Sequence, residues 1–243
     1  MRIAWLITGT VAAAGVFWLT QGALRFAPLR DDLILLLGAL AAGLTSGALV
    51  ASHVPVRPTR EPLVVAVLGT ALVVAASFAI ASAEGWGALD SPVAWVVVVA
   101  TVVTAASGIA GAAVIRRLKG VTVSTLSVML LSAAVHFGAL VVLFAATTFA
   151  GAHDASLLVA FGGVFLAGFL TQLALPIRAP WASASGVVLF PLFGTMNGQS
   201  TGEIVALIVG SLVLMLIGRI GSAIANAIAR PPVTVELPAA RMR

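Results

Sequence analysis

Few side chains in this 243-residue sequence have the chemistry to act on anything, and most of them stand alone inside apolar runs. Arg219 is the costliest. It lies within the run Glu203 to Ala229, about 11 residues, or roughly 16 Å, from the far end of a helix built on that run. On such a helix Arg219, Ser222, Asn226 and Arg230 follow in steps of three and four and share one polar face. That face suits a water-filled path or an anionic group. Alternatively, the helix breaks near Gly218 and continues along the surface, or the guanidinium snorkels to the nearer headgroups. His136 falls near the middle of the run Val123 to Phe149. A neutral imidazole there can relay a proton, ligate a porphyrin-type metal, or simply hydrogen-bond to a neighbouring helix. Haem between two helices usually takes paired histidines at matched depth, and His53 and His153 fall at opposite ends of their runs.

Gln172 is a further polar residue within a run, and the stretch Asn197-Gly-Gln-Ser-Thr-Gly-Glu gathers Asn197, Gln199 and Glu203 at one mouth. That stretch reads either as a capped loop, with Glu203 facing the positive end of a helix macrodipole, or as an outward-facing entrance for a substrate or ion. Arg219, His136, Gln172, Asn197, Gln199, Glu203 and Asn226 are therefore the candidate substrate or ion path. No catalytic constellation accompanies them. No acid and base share one depth, no Gly-rich loop leads into the single lysine, Lys119, and no His-Glu-x-x-His zinc pattern occurs. Cysteine is absent, which removes disulfides, thiolate metal sites and cysteine nucleophiles. Ser183-Ala184-Ser185-Gly186 is superficially similar to the serine motif of rhomboid proteases, but no histidine follows it, so the usual order fails. The expectation is a chain that is not an enzyme and holds no metal or cofactor.

The elements that position these residues follow from composition. Hydrophobic residues make up 61% of the chain and charged residues 9%, with a mean hydropathy of +1.17. A water-soluble surface needs far more charge than that, so lipid is the medium. Runs long enough to cross a ~30 Å hydrocarbon core extend over about Ile3 to Leu24, Leu33 to Val54, Leu63 to Ala83, Val93 to Ile115, Val123 to Phe149, Ser156 to Ile177 and Glu203 to Ala229. An eighth, Trp181 to Asn197, is short, polar at its start and interrupted by Pro191, so a half-membrane loop competes with a full crossing. Each span must be a helix, because an unpaired backbone amide in lipid costs several kcal/mol.

Basic residues set the orientation, since they remain on the cytoplasmic side of short loops. Eight crossings with an inner N-terminus place ten of the 13 basic residues inside: Arg2, Arg57, Arg60, Arg116, Arg117, Lys119, Arg178, Arg230, Arg241 and Arg243. Arg25 and Arg30 fall outside, and Arg219 falls within a span. A half-membrane loop at Trp181 would strand the final arginines outside, which favours the full crossing. Trp5, Trp18, Trp86, Trp95 and Trp181 lie near span ends, where indole rings favour the headgroup level. The first run is too long for a signal-peptide core, so it reads as a retained span. The net charge of +5 is scattered and interleaved with no aromatic stripe, so nucleic acid is not an expected partner.

The fold expected is thus all-α, a polytopic membrane bundle of about eight transmembrane helices in one domain over 1-230, with a disordered cytoplasmic tail over 231-243. Sliding the chain over itself by about 125 residues aligns Gly38 with Gly163, Ala42-Gly43 with Ala167-Gly168, Pro55 with Pro180 and Gly69-Thr70 with Gly194-Thr195. That match fits a four-plus-four parallel repeat, with halves 1-120 and 121-230; chance matching among 24 glycines fits it too. Gly43 with Gly47, and Gly108 with Ala112, have the four-residue spacing that lets helices approach closely, within the chain or across a homo-oligomer. Three functions remain open. They are a transporter or permease passing a small solute or ion, a non-catalytic structural or assembly subunit of a larger complex in the cell (inner or plasma) membrane, and an intramembrane enzyme on a lipid-linked substrate. Membrane lipids are the expected partners, with other membrane subunits or a second copy beside them. Transport requires Arg219 and His136 to share one cavity.

Overall fold

The computed structural model describes residues 2–24, 27–53, 60–83, 91–117, 125–152, 155–175, 179–189 and 200–229. Seven long helices carry the fold: α1 (Arg2–Leu24), α2 (Asp31–His53), α3 (Arg60–Ala83), α4 (Ser91–Arg117), α5 (Thr125–Phe149), α6 (Ser156–Ala174) and, last in the chain, α8 (Thr201–Ala229). Between α6 and α8 a short helix, α7 (Pro180–Ala184), tightens into a 3-10 turn over Ser185–Leu189. All seven long helices are long and apolar enough to cross a membrane, and the described residues contain no strand. The architecture is an all-α membrane helix bundle.

Local chemistry sets several boundaries. α6 stops earlier than the apolar run, because Leu175 turns extended (φ −75°, ψ 140°) and Pro180 then starts α7 from its first turn, where a missing N–H costs nothing. α8 opens with a capping box. The Ser200 N–H and hydroxyl both donate to the Glu203 carboxylate, at 2.7 and 2.8 Å, and the Glu203 N–H points back to the Ser200 hydroxyl at 3.4 Å. The weak eighth run is helical at its start, over residues 180 to 189, while its Pro191 and Asn197 lie outside the described residues.

Without a hydrophobic force between helices in lipid, close approach of backbones holds the bundle, and glycine permits it. A methyl group on Gly43 would strike the Thr104 carbonyl, and one on Gly47 the Gly108 carbonyl, so α2 and α4 run side by side in the same direction. Gly111 of α4 likewise abuts the Leu44 carbonyl. The Gly43 and Gly47 pair is therefore spent on packing inside the chain. α6 meets α8 through a matching set: Gly168 against the Gly218 carbonyl and Gly221 against that of Phe165. α1 and α5 meet reciprocally at the centre, Gly15 against the Ala134 carbonyl and Gly138 against that of Val11. α1 packs on α2 and α3 and α2 on α4; correspondingly, α5 packs on α6 and on the 180 to 189 segment, and α6 on α8.

The central cluster spans both sets of helices and includes Val50, Val65, Leu131, Val135 and Leu175. Trp5, near the start of α1, belongs to it as well and is buried to 2% exposure. A ring of that size near the start of α1 is covered by the neighbouring helices instead of by headgroups. Trp18 is partly buried and meets Phe17 edge-to-face, with ring centroids 6.5 Å apart.

Candidate functional site: a buried polar centre and an outward arginine

The polar side chains in the second set of helices collect where α5, α6, α7 and α8 converge. Ser132 and His136 are one turn apart on α5 and both are fully buried. The Ser132 hydroxyl donates to the Ser183 carbonyl at 2.6 Å and accepts the Gly186 N–H at 3.0 Å. One side chain thus anchors the 180 to 189 segment onto α5. Gln172, near the end of α6, anchors the same segment from the other side: its Oε1 accepts the Ala179 N–H at 3.1 Å and lies 2.9 Å from the Ser183 hydroxyl. Thr8 of α1 donates to the Leu170 carbonyl at 3.0 Å, tying the first helix to α6.

His136 Nδ1 lies 2.7 Å from the Ser132 carbonyl, which can only accept, so the ring proton belongs on Nδ1. Nε2 is then a free lone pair. It is buried, has no hydrogen-bond partner, and faces α8 at Gly218, where an added Cβ would come within 3.4 Å of it. The Ser132 hydroxyl is only 3.2 Å from Nδ1, yet this is not a nucleophile and its base: the hydroxyl proton is given to Ser183, and Nδ1 already carries a proton. Thr171 Oγ1, on α6, is likewise buried without a partner.

Arg219 follows Gly218 directly but faces the other way. Its side chain is exposed on the outer surface of the bundle, and its guanidinium lies over the Trp181 ring, 4.3 Å from the centroid. Trp181 itself is 49% exposed, so the pair forms an outward patch. Among the described residues the one ion pair joins Arg30 and Asp32, and Arg219 has no acidic partner. The helix that carries it is the least covered of the seven: 17% of its membrane window is buried, against 28% to 56% in the others.

The expected polar face of α8 is therefore divided. Ser222 turns inward and donates to the Gly168 carbonyl at 3.0 Å, Asn226 is half-buried with an unpartnered Oδ1, and Arg219 points out. His136 and Gln172 come together around the 180 to 189 segment. Glu203 sits exposed in its capping box at the far end of α8, and Asn197 and Gln199 lie outside the described residues. None of the cavities found among the described residues is lined by Arg219 or His136. Ser132 and Thr171 did not stand out in the sequence, Ser183 did so only within Ser183-Ala184-Ser185-Gly186, and Trp181 only by its place near a span end, not as a ring beneath Arg219. Ser132 was findable, because it stands four residues before His136 and so shares its helix face.

Compared with protein-family models, curated proteins and solved structures, the chain matches none at a significant level.

Proposed function

We propose that this chain is a non-catalytic subunit of a larger membrane complex, docking through the outer face of α8 onto a different polypeptide that presents a carboxylate to Arg219. The observation that carries this reading is the outward guanidinium on the least covered helix, which has no acidic partner among the described residues. The sequence places Arg219 within a span, where a charge costs a few kcal/mol or more unless something neutralises it, and a partner's carboxylate does so. Around it Leu212, Leu216, Ile220 and Ile224 are all exposed, which extends the apolar face along α8. A second copy of this chain is a poor partner. Its acidic residues, Asp31, Asp32, Glu61, Glu84, Asp90, Asp154, Glu203 and Glu236, all lie at the ends of runs or between them.

The topology adopted is a cell-membrane protein with both termini cytoplasmic, on the strength of the arginine distribution. The matched glycine contacts of α2 with α4 and of α6 with α8 support two parallel four-helix halves. Val164 against Gly218 and Gly168 against Ser222 also support α8 running in the same direction as α6. A photo-crosslinking residue at Ile220 tests the docking in native membranes. One discrete protein adduct is expected, retained in Arg219→Lys and lost in Arg219→Leu; adducts to lipid alone overturn the reading.

Transport of a small solute or ion is the second reading, favoured by two of the buried polar atoms that lack partners among the described residues, His136 Nε2 and Thr171 Oγ1. These are the sort of groups that a transient water or cation would satisfy. In that case His136 is essential to flux in reconstituted vesicles.

A further inference from the structure

A cavity of about 230 Å³ lies among α1, α2, α3 and α4, in the half of the bundle nearer the α1 to α2 connection. Its walls include Ala13, Phe17, Ala42, Val73 and Ala100, and none of its lining residues is charged. Of its three hydroxyls, those of Thr70, Ser77 and Thr104, the two threonines' are already committed. Thr70 donates to the Ala66 carbonyl at 2.9 Å and Thr104 to the Ala100 carbonyl at 2.8 Å, each one turn back in its own helix. These hydroxyls have no proton left for a polar guest. Apolar cavities of about 150 Å³ stay dry and accept a benzene-sized guest, so this one is large enough for an apolar group.

The cavity lies beside the lipid face. Thr70, Val74 and Val97 line both it and a groove on the outer surface between α3 and α4, so these side chains are the partition between the inner space and the side of the protein that faces hydrocarbon. The residues flanking that groove, Val67 and Val98, are among the exposed apolar side chains. Whatever enters comes laterally from the bilayer core, and the species abundant there is a hydrocarbon chain. We propose that this cavity is a binding site for one acyl chain of a membrane lipid, inserted between α3 and α4 with its headgroup left outside. The site is independent of the docking face on α8.

The test uses the full chain in lipid nanodiscs doped with a phosphatidylcholine that carries a photoactivatable diazirine in one acyl chain, followed by mapping of the labelled residues. Adducts are expected on interior residues, Phe17 and Ala100 above all, as well as on the outward Val98 and Val102. Ala100→Leu, which fills the cavity, should remove the Phe17 adduct while the outward Val102 adduct stays. If Ala100→Leu fails to give folded protein, the smaller filler Ala42→Val is used instead and should lower interior relative to outward labelling. Absence of interior adducts in the unaltered protein, or interior labelling unchanged in a folded filled variant, overturns the proposal.

Discussion

Replacing Ser132 by alanine should cost more stability than any other single hydroxyl deletion in the second set of helices. The reason is what the hydroxyl leaves behind. Its removal strips the Gly186 N–H of an acceptor and takes a donor from the Ser183 carbonyl, and both groups sit in a short turn with little regular ladder of its own. A buried donor or acceptor left unsatisfied costs about 1–3 kcal/mol. Interhelical hydrogen bonds in membranes average only about 0.6 kcal/mol, because the unfolded chain in lipid finds other partners. Ser222→Ala belongs to the second class. Its hydroxyl donates to the Gly168 and Gly218 carbonyls and accepts from nothing, so its loss strands no N–H. Ser132→Ala should therefore destabilise by roughly 2–4 kcal/mol and Ser222→Ala by well under about 1 kcal/mol. Reversible unfolding of both variants in mixed micelles, or by steric trapping in bicelles, measures the difference. Equal costs, or a larger cost for Ser222→Ala, would refute the assignment of Ser132 as the anchor of the 180 to 189 segment.

Other outcomes follow from the same contacts. Gly47→Leu should separate α2 from α4 and lower unfolding stability by at least about 1–3 kcal/mol, whereas Gly22→Ala, with nothing near its added methyl, should be neutral or stabilising by about 0.5–1 kcal/mol in the same assay. His136→Leu removes a lone pair that has no partner together with the Nδ1–H bond to the Ser132 carbonyl, so stability should fall by about 0.5–1.5 kcal/mol; a flux assay on the same variant separates the two functional readings, since only transport predicts a lost activity. Arg219→Leu should lower the stability of the isolated chain in detergent by no more than about 1 kcal/mol, because the side chain is exposed and its sole described contact is the Trp181 ring, worth about 0.5–1 kcal/mol. A large loss of stability in that variant would show that Arg219 serves the fold, not a partner.

Much of this fold was legible in the sequence because lipid imposes one rule on every span. An apolar run must be a helix, and α1 to α6 and α8 begin and end within a few residues of the runs that forecast them. What hydropathy could not place were the facing directions. Arg219, Ser222 and Asn226 share a helical spacing, yet spacing fixes only their mutual angle, and the glycine contacts with α6 decide which edge of that face turns inward. The same limit applies to Trp5, whose chain position near a span end is compatible with rim or core until neighbours are known. The polar centre was half legible. His136 and Gln172 stand out as isolated polar residues in apolar runs, but their meeting depends on Ser183 lying against both Gln172 and Ser132, one turn from His136.

The central claim is that Arg219 marks a contact with another membrane polypeptide. Native mass spectrometry of the chain, extracted with its surrounding membrane into polymer-bounded discs, tests it most directly. A second polypeptide is expected beside the 24.5 kDa chain, retained in Arg219→Lys and missing in Arg219→Leu. A chain that emerges with lipid alone, or a complex indifferent to both substitutions, would contradict it.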